Sequence, residues 1–427
     1  MLLLLFAPMY GILAAVVSKP IIDMGWDAGI AIFGLRPMDL IGVGLPAVLL
    51  IWMASSAAGR PRPMQFLGIW CAYLLCSLLG ALMMAVGGDM VGSLSFMFRI
   101  LNGFVGFYMF QTYFADRDRF KKLLLAMLIG GLVPMLMGFY ESVTGDLFRV
   151  RQGVGDQIRI AGLYHNSIAY RYFAYITLTG IGLYWVYFTP KSQLKKWLLA
   201  AYAIIALVVL YRVYSKAGFA SLALALLLGS IAARRILPVL VLGVVLVTVN
   251  SFMAGEVFDE VSTTFLKETS VLSGEEDTDR LFSGRVGGWK SQLDYWSDGT
   301  LENKLFGGRG GGRDAKGGGH NDYIRALLQT GSIGLAAYIL LLAVLGFRIF
   351  QRFLSDQNWL NTVAAILYCM WIIDSIGLTP AVYTHFQWYV WGFVGLAMRG
   401  VKGLGDDKRK NEVVVPRRVR DLKRSPE

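Results

Sequence analysis

The apolar positions of this chain are gathered into long blocks. They do not follow the two-residue repeat of a strand or the 3.6-residue repeat of a half-buried helix. Blocks lie near residues 2–17, 39–57, 66–86, 92–113, 123–142, 167–188, 197–213, 219–233, 236–253, 323–346, 359–377 and 386–398. Many reach the roughly 20 residues that a helix needs to cross a hydrocarbon core. The pattern predicts an all-α polytopic membrane protein with about twelve transmembrane helices.

The connections between the blocks alternate in charge. One set carries Arg60 and Arg62, then Arg117, Arg119, Lys121 and Lys122, then Lys191, Lys195 and Lys196, then Arg234 and Arg235, then Arg348 and Arg352. With the tail from Arg399, this set holds more than half of the 41 lysines and arginines. An excess of basic residues in short loops marks the cytoplasmic side, so both termini are expected there. The other set comprises 18–38, 143–166, 254–322 and the short junctions near 214–218 and 378–385. Segment 254–322, ahead of the tenth helix, is the one long extracytoplasmic loop, and long loops are exported despite their charge. Residues 1–400 thus read as one transmembrane domain. Residues 401–427, "VKGLGDDKRKNEVVVPRRVRDLKRSPE", read as a basic cytoplasmic tail, disordered and held on anionic lipid. No repeat relates the two halves, although an inverted repeat would have favoured a secondary transporter.

Composition agrees with this picture. The chain is 56% hydrophobic and 16% charged, against roughly 25% charged in soluble domains. The net charge of +12 sits mostly in short loops and the tail and does not call for nucleic acid. The opening "MLLLLFAPMYGILAAVV" has no basic leader and no small-residue cleavage site, so it is expected to be a retained span rather than a signal peptide. Cys71, Cys76 and Cys369 fall inside apolar blocks and are expected to be buried filler.

All three histidines, His165, His320 and His385, fall in outward connections. Three of these segments also carry basic residues at membrane junctions. "RIAGLYHNSIAYR" at 159–171 holds Arg159, His165 and Arg171, and "YRVYSKAG" at 211–218 holds Arg212 and Lys216. The third runs from "SGRVGGWKSQL" at 283–293, with Arg285, to His320 and then Arg325, placed about one turn deeper in the next helix. Charges at membrane depth are costly and usually face protein or an aqueous cavity; Arg171, Arg212, Arg325 and Arg99 are candidates. Snorkelling accounts for any one of them. Several on one side, without matching carboxylates, point instead to an anion site. The natural anion there is a lipid-linked phosphate or diphosphate, which the arginine fork meets bidentately. His320 supplies a group able to take the proton of an attacking hydroxyl. Asn321 is expected to cap the following helix.

Other features carry less. "GGRGGGRDAKGG" lacks the order of a phosphate-binding Walker loop. "GEEDTD" at 274–279 reads as a solvated acidic turn, so no metal site is expected. Asp374 reads as a partner for a buried arginine. Asp23 and Asp27 read as surface residues.

"SGRVGGW", "LFGGRGGG" and "HNDYIRALLQTGSIG", in that order, resemble the O-antigen ligase and polymerase superfamily of bacterial envelope enzymes. "RIAGLYHN" is similar to that family's earlier outward motif. "YSKAG" stands where the family has a Ser-Arg pair; here it is Ser215-Lys216, which leaves open whether Lys216 or Arg212 takes the arginine's role. The resemblance covers roughly 150–335. It implies a metal-independent, inverting glycosyltransferase that needs no cofactor and sits in the bacterial inner membrane with its site facing the periplasm. The donor would be an undecaprenyl-diphosphate-linked glycan. The acceptor would be a glycan for a polymerase, towards which the motifs lean slightly, or lipid A-core for a ligase. Other polysaccharide assembly proteins are possible partners. The catalytic residues would be His320 and Arg285. Arg159, Arg171, Arg212, Lys216, Arg325, Asn321, His165 and Asn166 would hold diphosphate or substrate. A transporter or flippase of lipid-linked sugars is the alternative, since it too would need arginines for diphosphate.

Overall fold

The structure is a computed structural model. It describes residues 6–26, 37–55, 64–148, 159–234, 281–309, 320–356 and 358–404, with short pieces between 258 and 279. Among these residues the fold is all-α, and seven helices are long and apolar enough to cross a membrane. The elements are α1 Pro8–Met24, α2 Pro37–Ser55, α3 Leu67–Val86, α4 Met90–Tyr113, α5 Arg117–Thr144, α6 Ser167–Phe188 and α7 Gln193–Arg212. They continue with α8 Lys216–Ala233, α9 Leu281–Ser297, α10 Leu301–Phe306, α11 Asp322–Ser355, α12 Trp359–Gly377, a 3-10 turn Pro380–Val382 and α13 Thr384–Arg399. The seven long apolar helices are α3, α4, α5, α7, α8, α11 and α12. The apolar block at 236–253 and the tail beyond residue 404 lie outside the described residues.

Helix starts follow from side chains that satisfy the first free backbone N–H groups. Asp89 caps α4, Asp116 caps α5, Asn166 caps α6, Ser215 caps α8 and Asn358 caps α12. The bundle closes around α13, whose residues from His385 to Met398 are all buried. A helix that is apolar on every side belongs in the interior of a bundle. Its main partner is α4, to which Trp388 Nε1 ties it by donating to Asn102 Oδ1 at 2.8 Å.

The basic connections near Arg117, Lys191 and Arg352 meet the start of the tail at one end of the bundle. There Lys402 N donates to Ala115 O, Arg352 Nη1 to Ala397 O, and Leu360 N to Tyr187 Oη, at 2.8–3.1 Å. The opposite end gathers residues 159–166, 214–218 and 376–385 with Arg285 and Asn321.

The tenth apolar block departs from expectation. Instead of one span beginning after His320, α11 is broken at Gly331 (φ 68°, ψ −173°) and the chain folds back. The ring of Tyr323 lies 6.0 Å from that of Tyr338, a contact that a straight helix would forbid across fifteen residues. The short arm 322–330 has its last carbonyls satisfied from outside, Gln329 O by Gly308 N and Leu328 O by Arg309 N, both at 3.2 Å. A Cβ at Gly331 would stand 2.2 Å from Leu305 O, so only glycine permits α10 to pack into the bend.

Lengths then set depths. At about 1.5 Å per residue, the long arm 332–355 and the 24-residue α4 each rise about 36 Å. The 19 residues of α12 and the 16 of α13 rise only about 28 and 24 Å. The polar end therefore has a sunken floor, with residues 320–322 and 376–385 roughly 10 Å below the crest at Gly331.

Two smaller expectations are corrected. Asp23 is not a surface residue: it is buried, paired with Lys19 and 3.3 Å from His385 Nδ1. Asp27 lies outside the described residues. Cys71 is exposed on the outer face of α3 rather than buried.

Candidate functional site

The base of the floor is an ion pair inside the bundle. Arg171, on the first turn of α6, donates through Nη2 to Asp374 Oδ2 at 2.6 Å, and through Nη1 to Ser215 Oγ at 2.9 Å. Both charged side chains are 0% exposed. Asp374 is on the last turn of α12 and Ser215 is the cap of α8, so one guanidinium fastens three helix ends together. Arg171 was expected among the diphosphate ligands and among arginines without matching carboxylates. The structure corrects both points: its charge is already matched, and no substrate can touch it. Its place is beneath the site.

Above this pair stand Arg159 and Arg285, both half-buried. Arg285 projects from α9 onto the end of α12, where a Cβ at Gly377 would meet its Nη1 at 3.2 Å. Cations are stabilised at a helix C-terminus, where carbonyl ends converge. Burial first, then the charges of Arg285 and Arg171, push the Arg159 pKa down. Burial likewise lowers that of Arg285; Glu268 works in the opposite sense, and Arg171 adds to the lowering. The guanidiniums remain charged at any physiological pH. Their mutual repulsion makes this corner a place that an anion relieves.

His320 stands beside Arg285, with its side chain open to solvent. Desolvation against the bundle, and secondarily the Arg285 charge, hold its pKa below the usual imidazole value. At neutral pH the ring is therefore neutral and able to accept a proton.

His320 and His165 share a construction. Each immediately precedes an asparagine that caps a helix, and each asparagine reaches across to the 376–383 junction. Asn321 Oδ1 accepts from Tyr323 N and Ile324 N at 2.9 and 3.0 Å, while its Nδ2 donates to Ile376 O at 3.0 Å. Asn166 Oδ1 accepts from Ala169 N at 2.9 Å, and its Nδ2 donates to Tyr383 Oη at 2.9 Å and lies 2.8 Å from His165 Nε2. His165 packs its ring near Tyr383, with centroids 5.8 Å apart. Asn321 and Asn166, expected as substrate ligands, are thus occupied with capping and bracing. They fix where the histidines stand.

The remaining expected residues separate. Lys216 is paired with Glu268. Arg212 donates to Tyr214 Oη at 2.8 Å and lies over that ring. Neither of them bonds Ser215: Arg171, from another helix, donates to its Oγ. Arg325 lines a different space, a cavity it shares with Arg99 and Asp322. It is one turn along the short arm of α11, which runs from the floor towards the crest, so it is not deeper than His320. The glycine-rich run 310–319 lies outside the described residues.

Two contributors were not singled out in the sequence. Glu141, buried on α5, accepts from Gly162 N at 2.9 Å and Phe148 N at 3.0 Å and so pins the loop carrying Arg159 and His165. Tyr383 braces the first His-Asn pair. A lone carboxylate near the end of an apolar block, in "GFYESVTG", was the only signal for the first; nothing local marks the second. Of the acidic turn at 274–279, Asp279 is paired with Lys290.

Compared with known proteins, the chain matches no protein-family model and no curated protein.

Proposed function

We propose that this chain is an integral-membrane glycosyltransferase that moves a glycan from an undecaprenyl-diphosphate-linked donor to an acceptor sugar hydroxyl. One observation carries the reading: a histidine held neutral stands beside Arg285, one of two half-buried arginines crowded together at the polar end of a membrane bundle. His320 takes the proton of the acceptor hydroxyl as its oxygen attacks the anomeric carbon. The bond to the diphosphate breaks with inversion, and Arg285 and Arg159 stabilise the charge that grows on the departing diphosphate. The motif order supports a polysaccharide polymerase slightly over a ligase acting on lipid A-core. The charge alternation supports about twelve spans with cytoplasmic termini and the sunken floor facing outward; the family resemblance implies a bacterial inner membrane, where outward is the periplasm.

The test uses purified protein in detergent with undecaprenyl-diphosphate-linked repeat units, alone and with lipid A-core, the products being resolved on a gel beside His320→Ala. A ladder from the lipid-linked units alone, absent in the variant, identifies a polymerase. A shift that requires lipid A-core identifies a ligase. No product in either reaction, with donor crossing reconstituted vesicles unchanged, would replace this reading with a flippase.

A further inference from the structure

The cavity that holds Arg325 takes no part in the chemistry proposed above. It lies between α4 and the short arm of α11. Asp322, Arg325, Ala326 and Gln329 line it at intervals of three, one and three residues, which places them on one helical face. Phe96, Arg99, Ile100 and Gly103 repeat that spacing on α4. Its volume is about 50 Å³, room for roughly three to five water molecules and too little for a sugar ring or an isoprenoid. Arg99 stands roughly 14 Å along α4 from the helix start at Met90, so the cavity holds charge at membrane depth. Asp322 and Ala381, which also line it, belong to the sunken floor and connect it to the polar end.

Its charges do not balance. Arg99 and Arg325 make no hydrogen bond or ion pair among the described residues. Among those residues the lining holds one carboxylate, Asp322, which is buried and accepts from Ala381 N at 3.2 Å. Ionised, it leaves one positive charge in the cavity; protonated, it leaves two. An unmatched charge at membrane depth is costly, and two guanidiniums facing one small space add their repulsion to that cost. Two uncharged donors share the lining. Trp70 is buried, and its Nε1 has no partner among the described residues. Trp371 Nε1 donates to Tyr338 Oη at 2.9 Å, which leaves the hydroxyl's own hydrogen to donate.

We propose that this cavity binds a small inorganic anion of the chloride class, held between Arg99 and Arg325. Charge and size both select it. One monovalent anion cancels the positive charge that an ionised Asp322 leaves over. A halide is little larger than a water molecule, so it takes the place of one and keeps the others as part of its shell. Bound there, it ties the short arm of α11, through Arg325, to α4, through Arg99, and steadies the arm that begins beside His320. The binding rests on the cavity alone and not on the transferase reading.

The test exchanges sodium gluconate for sodium chloride at constant ionic strength, with purified protein in detergent, and follows the thermal midpoint. A ligand that binds only the folded state raises the midpoint, so a saturable rise with chloride is expected, and bromide should substitute for it. Arg99→Gln and Arg325→Gln should each raise the half-saturating chloride concentration by roughly tenfold or more. Arg99→Lys and Arg325→Lys, which keep the charge, should fall between; circular dichroism establishes that each variant is folded. Chlorine NMR reads the same site without any variant: the wild-type protein should broaden the chloride line, and excess bromide should restore it. Equal midpoints in chloride and gluconate, a chloride line that does not broaden, or an unchanged response in both glutamine variants would overturn the proposal. So would a larger rise with inorganic phosphate that both glutamine variants abolish, which would make the occupant a phosphate group.

Discussion

At the scale of single residues, the site depends on which charges are matched and which are not. Arg171 and Asp374 are matched and buried, so replacing one partner strands the other in a low-dielectric interior. Asp374→Asn is expected to cost roughly 3–5 kcal/mol, whereas Arg171→Met combined with Asp374→Leu should cost much less. Thermal unfolding in detergent compares them. Arg285 and Arg159 are repelled by their neighbours; desolvation against the bundle, and secondarily the Arg285 charge, make His320 titrate low. Because the neutral ring is the working form, transfer should be sustained above the His320 pKa and fall as pH drops through it, with the acid limb below the ordinary 6.5. In Arg285→Gln the lost charge should move that limb upward, and residual activity measured against pH, or histidine NMR, reads the shift. His320→Ala should lower the rate by about 10²–10⁴-fold with helix content unchanged.

At the scale of elements, the short arm of α11 sets the position of the base. Its start is fixed by Asn321 and its end by the bend at Gly331. Asn321→Ala should remove about 1 kcal/mol of capping and, by freeing His320 from the Ile376 brace, reduce turnover more than substrate affinity. A steady-state comparison of kcat with KM tests that split. Gly331→Ala places a side chain at positive φ and against Leu305 O, and should cost on the order of 3 kcal/mol in the thermal midpoint. This element also shows how much could be read in advance. "HNDYIRALLQTGSIG" announced a cap and a helix, and Asn321 does cap it. The fold-back was hidden because residues on both sides of Gly331 are apolar and helical, so the periodicity is the same whether the chain continues or reverses. What distinguishes the two is the contact with Gly80, Leu305 and Gly308, far off in sequence. The pairing of Asp374 with an arginine was legible, since an isolated carboxylate in an apolar block needs a cation. Its identity as Arg171, and the consequent loss of Arg171 as a ligand, required the packing of α6 against α12.

At the scale of the whole molecule, charge alternation along the chain reappears as two chemically different ends of one bundle. If the basic end is cytoplasmic, a cysteine at Ser297 should react with an impermeant maleimide added outside intact cells. A cysteine at Gln193 should react only after permeabilisation, with both placed in a background lacking Cys71, Cys76 and Cys369. The opposite labelling would invert the topology and place His320 in the cytoplasm. The bend at Gly331 also bears on how the protein is made. Residues 332–355 satisfy their own backbone and can enter the bilayer as they leave the ribosome. The arm at 322–330 cannot be completed that way, because its terminal carbonyls need Gly308 and Arg309, which must first be on the same side of the membrane. The two halves of α11 thus have different requirements: the long arm can form alone, whereas the short arm, next to the candidate base, is complete only once Gly308 and Arg309 are seated against it.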